Sequence, residues 1–293
     1  SETIRALAAG REDMVVVNSC AVTNEAVKQT RAAIRRAAKA RPDAEIVVTG
    51  CAAQIDPASF AAMPEVARVL GNADKLRPES WASAEPMLVT DLSRVVVTAP
   101  HLAAAFAGHA RAFVEVQNGC DHSCTFCIIP NLRGRLVSRP IGDIVREAAN
   151  LKEAGVKELI VISQDTAAYG VDTRYKLDFA DGRPVRTKLY DLAKELGRLG
   201  LWTRLQYVYP YPSVDEILPL MAEGLILPSL DVPFQHAHPR ILKAMKRPAS
   251  SEENLERIRA WRAVCPDITI RSTFIVGFPG ETDADFEATL QLV

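Results

Sequence analysis

The sequence lacks an excess of charge of either sign: 35 Lys and Arg stand against 36 Asp and Glu in 293 residues, a net charge of -1. That excludes a globally basic nucleic-acid binder, though not a local basic face. It also lacks any uninterrupted apolar run of about 18 residues, so no transmembrane helix and no membrane partner are expected. The opening SETIRALAAGRED has neither the basic nor the apolar region of a signal peptide. The compartment expected by default is the cytoplasm. Cysteine is sparse, at six residues, and in that compartment those six read as metal or redox ligands rather than disulfides. What is present is ample core material, with 48% hydrophobic residues. At roughly 150 residues per domain, the length suggests two domains.

Strand and helix signals alternate along the chain, so the fold class is α/β. Met14 to Val17 (MVVV) and Glu45 to Thr49 (EIVVT) read as strands buried on both faces. Asn24 is a candidate cap for a helix running through Ala26 to Ala40. A weaker helix over Pro57 to Ala62 and an apolar patch over Val66 to Leu70 follow. This order predicts a small parallel α/β domain over 1–77, with Cys20 and Cys51 just past the carboxyl ends of two strands. Residues 78–108 read as a connector, with a hairpin around Leu88 to Val97. From 109 to 293 the alternation restarts. Candidate strands are Ala112 to Gln117, Glu158 to Ser163, Thr203 to Val208, Ser229 to Phe234 and Thr269 to Val276. Each is followed by a helical stretch, as in a parallel βα barrel or part of one. Thr173 to Arg186 is polar and reads as an inserted loop. The last helix reaches Val293 without a stop signal, so the barrel is expected to be cut at its C-terminal side.

The strongest chemical signal is Cys120-Asp121-His122-Ser123-Cys124-Thr125-Phe126-Cys127, a C-x3-C-x2-C loop directly after the first barrel strand. Three thiolates on one short loop can hold three corners of a cubane iron–sulfur cluster and leave one iron without a protein ligand. An open metal position is what catalysis needs, because a substrate can coordinate there. The alternatives are a structural zinc site with His122 as fourth ligand, or a trio of buried inert thiols.

A C-x3-C-x2-C loop after the first strand of a βα barrel resembles the radical S-adenosylmethionine (SAM) superfamily. The resemblance implies a partial six-stranded (βα)6 barrel and a [4Fe–4S] cluster on Cys120, Cys124 and Cys127. It also implies SAM chelated to the open iron, and a radical able to remove hydrogen from an unactivated carbon. Phe126 matches the aromatic that packs near the adenine, and Gln164 the position that contacts the methionine end of SAM. Arg271 and Ser272 could face the sugar or carboxylate. Ile275 and Gly277 offer an apolar wall and close backbone approach at the adenine side. Gln235, with His236 at the barrel mouth, joins the cofactor-binding candidates.

Val17-Asn18-Ser19-Cys20 and Val48-Thr49-Gly50-Cys51 further resemble the N-terminal domain of the methylthiotransferases. In that family three cysteines of this domain hold a second, auxiliary [4Fe–4S] cluster. Cys20 and Cys51 supply two, so the auxiliary site is expected to be incomplete and the chain, read as a fragment, inactive. The strings Ile162 to Gly170, Tyr207 to Pro212, Asp231 to Ala237 and Arg271 to Thr282 resemble the branch that methylthiolates an aspartate β-carbon of small-subunit ribosomal protein twelve. The strings Asn18 to Ala26 and Arg111 to His122 look more like the branch that acts on threonylcarbamoyl-adenosine beside the tRNA anticodon. The implied partners are a ribosomal protein or the ribosome, alternatively tRNA, and a reductant such as flavodoxin or ferredoxin. The rival readings are an iron–sulfur electron carrier or redox sensor, a zinc-stabilised RNA-binding module, and a radical SAM enzyme without sulfur insertion.

Other residues have plainer readings. Lys28, Arg31, Arg35 and Lys39 fall on one side of the first long helix, a solvated face or a phosphate-binding stripe. Tyr207, Tyr209 and Tyr211 alternate, which puts them on one side of an extended strand end. Cys265 reads as a buried thiol. Glu281, after Pro279 and Gly280, suits a helix start.

Overall fold

The apolar runs near the N-terminus become neighbouring parallel strands. In the computed structural model, which describes residues 2–95, 109–247 and 251–293, the chain divides into two units. The first holds Ser1–Ala103 and Ile128–Val137, the second Ala104–Cys127 and Ser138–Val293.

In the first unit the order is α1 (Glu2–Leu7), β1 (Met14–Ser19), α2 (Asn24–Ala40), β2 (Glu45–Gly50), α3 (Cys51–Ile55), α4 (Pro57–Ala61), β3 (Arg68–Leu70), α5 (Pro78–Ala82), β4 (Met87–Leu88) and α6 (Ile129–Arg133). The four strands pair in parallel in sequential order. β2 explains its own composition. Ile46 and Val48 join Ile34, Phe60, Met63 and Val69 in one cluster, while Val47 joins Ile4, Met14, Leu70 and Trp81 in another. A strand buried on both faces is apolar at consecutive positions, as at Ile46, Val47 and Val48, not at alternate ones.

Two expectations are corrected here and a third is qualified. Helix α2 is capped by Thr23, whose hydroxyl accepts from the Ala26 amide at 3.1 Å, and Asn24 is its first helical residue. A β-region backbone is what a cap needs, and Thr23 has it. The hairpin near Leu88 is absent among the described residues: Met87 and Leu88 pair in parallel with β3. Residues 96–108, the rest of the expected hairpin and connector, lie outside the described residues. The basic side of α2 is partly engaged within the unit, since Arg31 donates to the Ser59 hydroxyl at 2.8 Å and lies over the Phe60 ring.

The second unit carries β5 (Arg111–Glu115), short extended pieces β6 (Gln117–Asn118) and β7 (Val137–Ser138, its second residue in this unit), α7 (Ile141–Glu153), β8 (Glu158–Ile162), β9 (Leu177–Ala180), β10 (Arg183–Arg186), α8 (Leu189–Arg198), β11 (Trp202–Leu205), α9 (Leu218–Ala222), β12 (Ser229–Asp231), α10 (Pro239–Ala244), α11 (Ser251–Val264), β13 (Thr269–Arg271) and α12 (Asp283–Leu292). Strands β5, β8, β11, β12 and β13 form one parallel sheet in sequential order, as a barrel wall requires. Helix periodicity accounts for one face. Leu189, Leu192, Ala193 and Leu196 of α8 recur at i, i+3, i+4 and i+7, and all are buried with Val114, Leu159 and Val161 in one core. The opposite strand face is charged: Glu158 pairs with Arg111 at 2.7 Å and with Arg204 at 2.8 Å.

The polar stretch expected as a loop over Thr173 to Arg186 is instead partly a hairpin, with β9 and β10 antiparallel. The strands also end earlier than their apolar patterns suggest. After Asp231 the chain leaves the sheet, and Gln235, at φ 72°, pairs with Phe274 in an isolated parallel bridge beyond the end of β13. A buried ion pair braces the start of α7. Arg139 meets Glu147 at 2.7 Å with both side chains almost wholly enclosed, and Tyr169 donates its hydroxyl to the Arg139 carbonyl at 2.8 Å. Burial pushes the Glu147 carboxyl up, and the Arg139 guanidinium offsets only part of that.

Gly50 ends β2 at φ 97° and ψ -166°, a region open essentially to glycine. A Cβ there would stand 2.3 Å from the Ser19 carbonyl oxygen. Gly50→Ala is therefore expected to cost at least about 1–3 kcal/mol from backbone strain alone. Urea unfolding midpoints of the two proteins check this.

Candidate functional site

Parallel register places the candidate ligands. In the first unit Ser19 pairs with Gly50, so Cys20 and Cys51 leave adjacent strands at the same end. Cys20 is exposed and Cys51 half-buried. The Ser19 hydroxyl donates to the Thr49 carbonyl at 2.5 Å and accepts from the Ala53 amide at 3.1 Å, which ties the two strand exits together. Asn72, just past β3, sends its side-chain amide to within 3.7 Å of the Cys51 sulfur. Its Oδ1 accepts from the buried Lys75 ammonium at 2.7 Å. Neither Asn72 nor Lys75 was expected at the site. The only sequence signal for them is position after a third apolar strand.

In the second unit the loop after β5 carries Cys120, buried, with Cys124 and Cys127 half-buried. Cys124 and Cys127 are close enough to act electrostatically on Cys120. Burial, the largest influence, pushes the Cys120 thiol up to about 11. Such a thiol stays protonated at neutral pH until a metal claims its sulfur. Loop and body are joined where Thr125 donates its hydroxyl to the Ala244 carbonyl at 3.0 Å.

Four further side chains converge on this loop. His122 Nε2 lies 2.8 Å from Asp165 Oδ2 and 2.7 Å from the Tyr211 hydroxyl. The His122 ring stacks on Tyr209 at 4.5 Å, and Tyr209 on Tyr211 at 4.7 Å. The Arg247 guanidinium lies 3.8 Å from the Tyr209 centroid and sends Nη1 to 3.9 Å from the Cys124 sulfur. The expected alternation of three tyrosines fails at Tyr207. That residue has φ 56° and is exposed, because β11 stops at Leu205.

The remaining candidates occupy the same end of the strands. Gln164, after β8, is half-buried with its Oε1 enclosed and without a hydrogen-bond partner. Phe126 is 39% exposed. Arg271 is committed to Asp231 at 2.8 Å, an ion pair on the charged strand face. The Ser272 hydroxyl accepts from the Phe234 amide at 3.2 Å. Ile275 donates its amide to the Gln235 carbonyl at 2.7 Å, and Gly277, at φ 74°, opens the next turn. Glu281 does not start a helix. It accepts from the Phe278 amide at 2.8 Å and meets the fully buried His236 at 3.2 Å. Helix α12 begins after Thr282, through a capping box with Asp285. Cys265 is a buried thiol, as expected.

The donor chemistry fits an iron–sulfur cluster and a polar co-substrate. Gln117 Oε1, Gln164 Oε1, Asp165 Oδ1 and the Tyr209 hydroxyl are all buried without a partner. Three of these are acceptors, so they call for a ligand that donates, such as an ammonium or a hydroxyl. Among the described residues no three His, Cys, Asp or Glu side chains converge as the ligands of one ion do. The thiolates of a cubane bind different irons, so they stand apart by the width of the cluster.

Comparison with known proteins agrees with this geometry. Residues 114–293 match the profile of the radical SAM superfamily, and residues 4–71 that of uncharacterized protein family UPF0004. The chain belongs to the radical SAM superfamily. More particularly, it is 53% identical over 282 residues to "Ribosomal protein uS12 methylthiotransferase RimO" of Azoarcus sp. (strain BH72), covering 96% of this chain and 62% of that protein. The protein of that name from Methylobacillus flagellatus is 52% identical (96% of this chain, 63% of the relative). That from Acinetobacter baylyi is 50% identical (95% and 62%). The chain thus spans 62–63% of the length of these relatives. Among solved structures, the radical SAM methyltransferase TsrM from Kitasatospora setae, with tryptophan substrate and a SAM analogue, has a TM-score of 0.65 at 16% identity, covering 94% of this chain and 59% of that one. The cobalamin-dependent SAM radical enzyme OxsB has 0.63 at 12%, covering 99% and 44%. At such identities the likeness is one of fold.

The Glu281 carboxyl gives a pH prediction. Burial pushes it up, but the hydrogen bonds from His236 and from the Phe278 and Gly277 amides outweigh that, so it is held below the ordinary carboxylate range. A depressed carboxylate adds stability above its unfolded value and loses it as pH falls through the folded one. Urea midpoints from pH 6 down to pH 3 are expected to fall less steeply below about 4.5 in Glu281→Gln than in the parent. Superimposable acid limbs would contradict this.

Proposed function

We propose that the chain is the catalytic part of a radical SAM methylthiotransferase that inserts sulfur and methyl at the β-carbon of an aspartate in ribosomal protein uS12. The observation that carries the reading is the cysteine loop at the carboxyl end of the first strand, with unpartnered buried acceptors beside it. Cys120, Cys124 and Cys127 would hold a [4Fe–4S] cluster, and Cys20 and Cys51 would contribute two thiolates to a second. The chemistry that a bound cluster supplies here is one-electron cleavage of the SAM sulfonium, the source of a radical that removes hydrogen from carbon.

The chain's own residues bind and orient. Gln164 Oε1 is an acceptor suited to the SAM ammonium. Gly277 and Ile275 offer backbone approach and an apolar wall to adenine, with Phe126 as a further apolar surface. Gln235, through its backbone, and Ser272, through its hydroxyl, brace the exits of the fourth and fifth strands. Arg271 shapes the charged face through Asp231 and serves SAM only indirectly. The relatives carry the uS12 name over both halves of this chain, which favours the ribosomal protein over tRNA. No helix among the described residues is long and apolar enough to cross a membrane, in keeping with a substrate on the ribosome. A one-electron reductant such as flavodoxin or ferredoxin would serve it.

The test begins with protein purified without oxygen, in which about four irons per cluster are expected. Replacing Cys120, Cys124 and Cys127 together by Ala is expected to remove one cluster's iron and abolish SAM cleavage, with the second cluster's share unaffected. Uncleaved SAM with the parent protein would sink the reading. Ribosomal protein uS12 and an anticodon-arm tRNA, offered in parallel to the full-length protein with mass detection of the methylthio group, decide the substrate.

A further inference from the structure

We infer that Arg247 is a positioning residue for the Cys124 corner of the cysteine loop, seated by a stack of Tyr209, His122 and Asp165, and that its cation raises the reduction potential of the cluster bound there. The inference rests on the reading that this loop holds a cluster.

Arg247 is held from three directions. Its backbone amide donates to the Leu242 carbonyl at 2.8 Å. Its Nη2 donates to the Pro233 carbonyl at 2.6 Å. Its guanidinium plane rests on Tyr209, 3.8 Å from the ring centroid, where a cation gains from the ring's negative face. These contacts leave Nη1 directed at the Cys124 sulfur, 3.9 Å away. Guanidinium, unlike an ammonium, can stack and fork in this way while staying charged.

Tyr209 is fixed in turn by its ring neighbours. His122 stacks on it at 4.5 Å, and His122 is anchored through Nε2 to Asp165 and Tyr211. Asp165 is itself 2% exposed, and its backbone carbonyl accepts from the Gln117 side chain at 2.8 Å. A residue inside the cysteine loop therefore helps to seat the cation that faces a cysteine of that loop.

The electrostatic consequence has a definite sign. One-electron reduction adds a negative charge to the cluster and its thiolates. A fixed cation beside a ligand sulfur favours the reduced form, and hydrogen bonds to sulfur act in the same direction. Removing the cation must lower the potential.

The test uses the full chain, reconstituted without oxygen, with iron and sulfide counts and a dithionite titration followed by electron paramagnetic resonance. Arg247→Gln is expected to keep its iron and to lower the potential by a tenfold change in the one-electron equilibrium, about 59 mV. Arg247→Lys, which restores the charge without the stacked fork, should recover part of that shift. Tyr209→Leu, which keeps the charge and removes its seat, should move the potential the same way by less. Iron lost from R247Q and retained by R247K supports the inference as well. Unchanged potentials in R247Q and Y209L with full iron would overturn it, as would equal iron loss from R247Q and R247K. Absence of iron from the parent would instead overturn the reading of the loop, and the iron count separates the two outcomes.

Discussion

Parallel hydrogen bonding between strands taken in chain order forces every loop that follows a strand to the same edge of its sheet. Both units obey it. In the first, the pairing of Ser19 with Gly50 brings Cys20 and Cys51 to one edge, with Asn72 at the next exit. In the second, the exits of β5, β8, β11, β12 and β13 carry the cysteine loop, Gln164 with Asp165, Tyr209 with Tyr211, Gln235 with His236, and Ile275 with Gly277. Residues far apart along the chain are gathered by this single rule. Helices cover one face of the five-stranded sheet and make it apolar. The other face is free to carry Arg111, Glu158, Arg204, Asp231 and Arg271 as ion pairs.

The larger architecture was legible because burial writes itself into composition. Ile46 to Val48 form an unbroken apolar run that is fully buried in β2, whereas MVVV marks β1 but, as the edge strand, keeps Val15 to Val17 only half-buried and not, as expected, buried on both faces. The i, i+3, i+4, i+7 pattern of α8 states which side meets the core. Finer features depend on backbone choices that composition does not record. Thr23 and Asn24 are both good caps on chemical grounds, and only the β-region conformation of Thr23 decides between them. The stretch that becomes β9 and β10 does alternate at Leu177, Asp178 and Phe179 and turns at Asp181-Gly182, both at positive φ, but Leu177 and Phe179 remain exposed, so no buried run marks it. Strand ends were overrun because loop residues such as Val232 and Phe234 are buried too, after the pairing has stopped.

The site divides in the same way. Three cysteines within eight residues form a local pattern, so their chemistry was readable from spacing. Arg247, Asp165 and Tyr209 come from three different loops, and their meeting on His122 and Cys124 leaves no mark in any one stretch. Arg271 shows the converse. Its place at a strand exit suggests a ligand contact, and the pairing with a carboxylate on the neighbouring strand, which leaves much of the side chain exposed, was not legible from that place.

The enclosed pair of Arg139 and Glu147 bears on how this chain can diverge. Each partner offsets the cost of hiding the other, and the loss of either strands a bare ion in the interior. Sequence drift through these two positions is thus confined to paired replacements, by another ion pair or by two apolar residues of matching volume. Among descendants of a common ancestor the two sites should covary, and chains that have lost both charges should form a separate lineage instead of scattering singly across the tree.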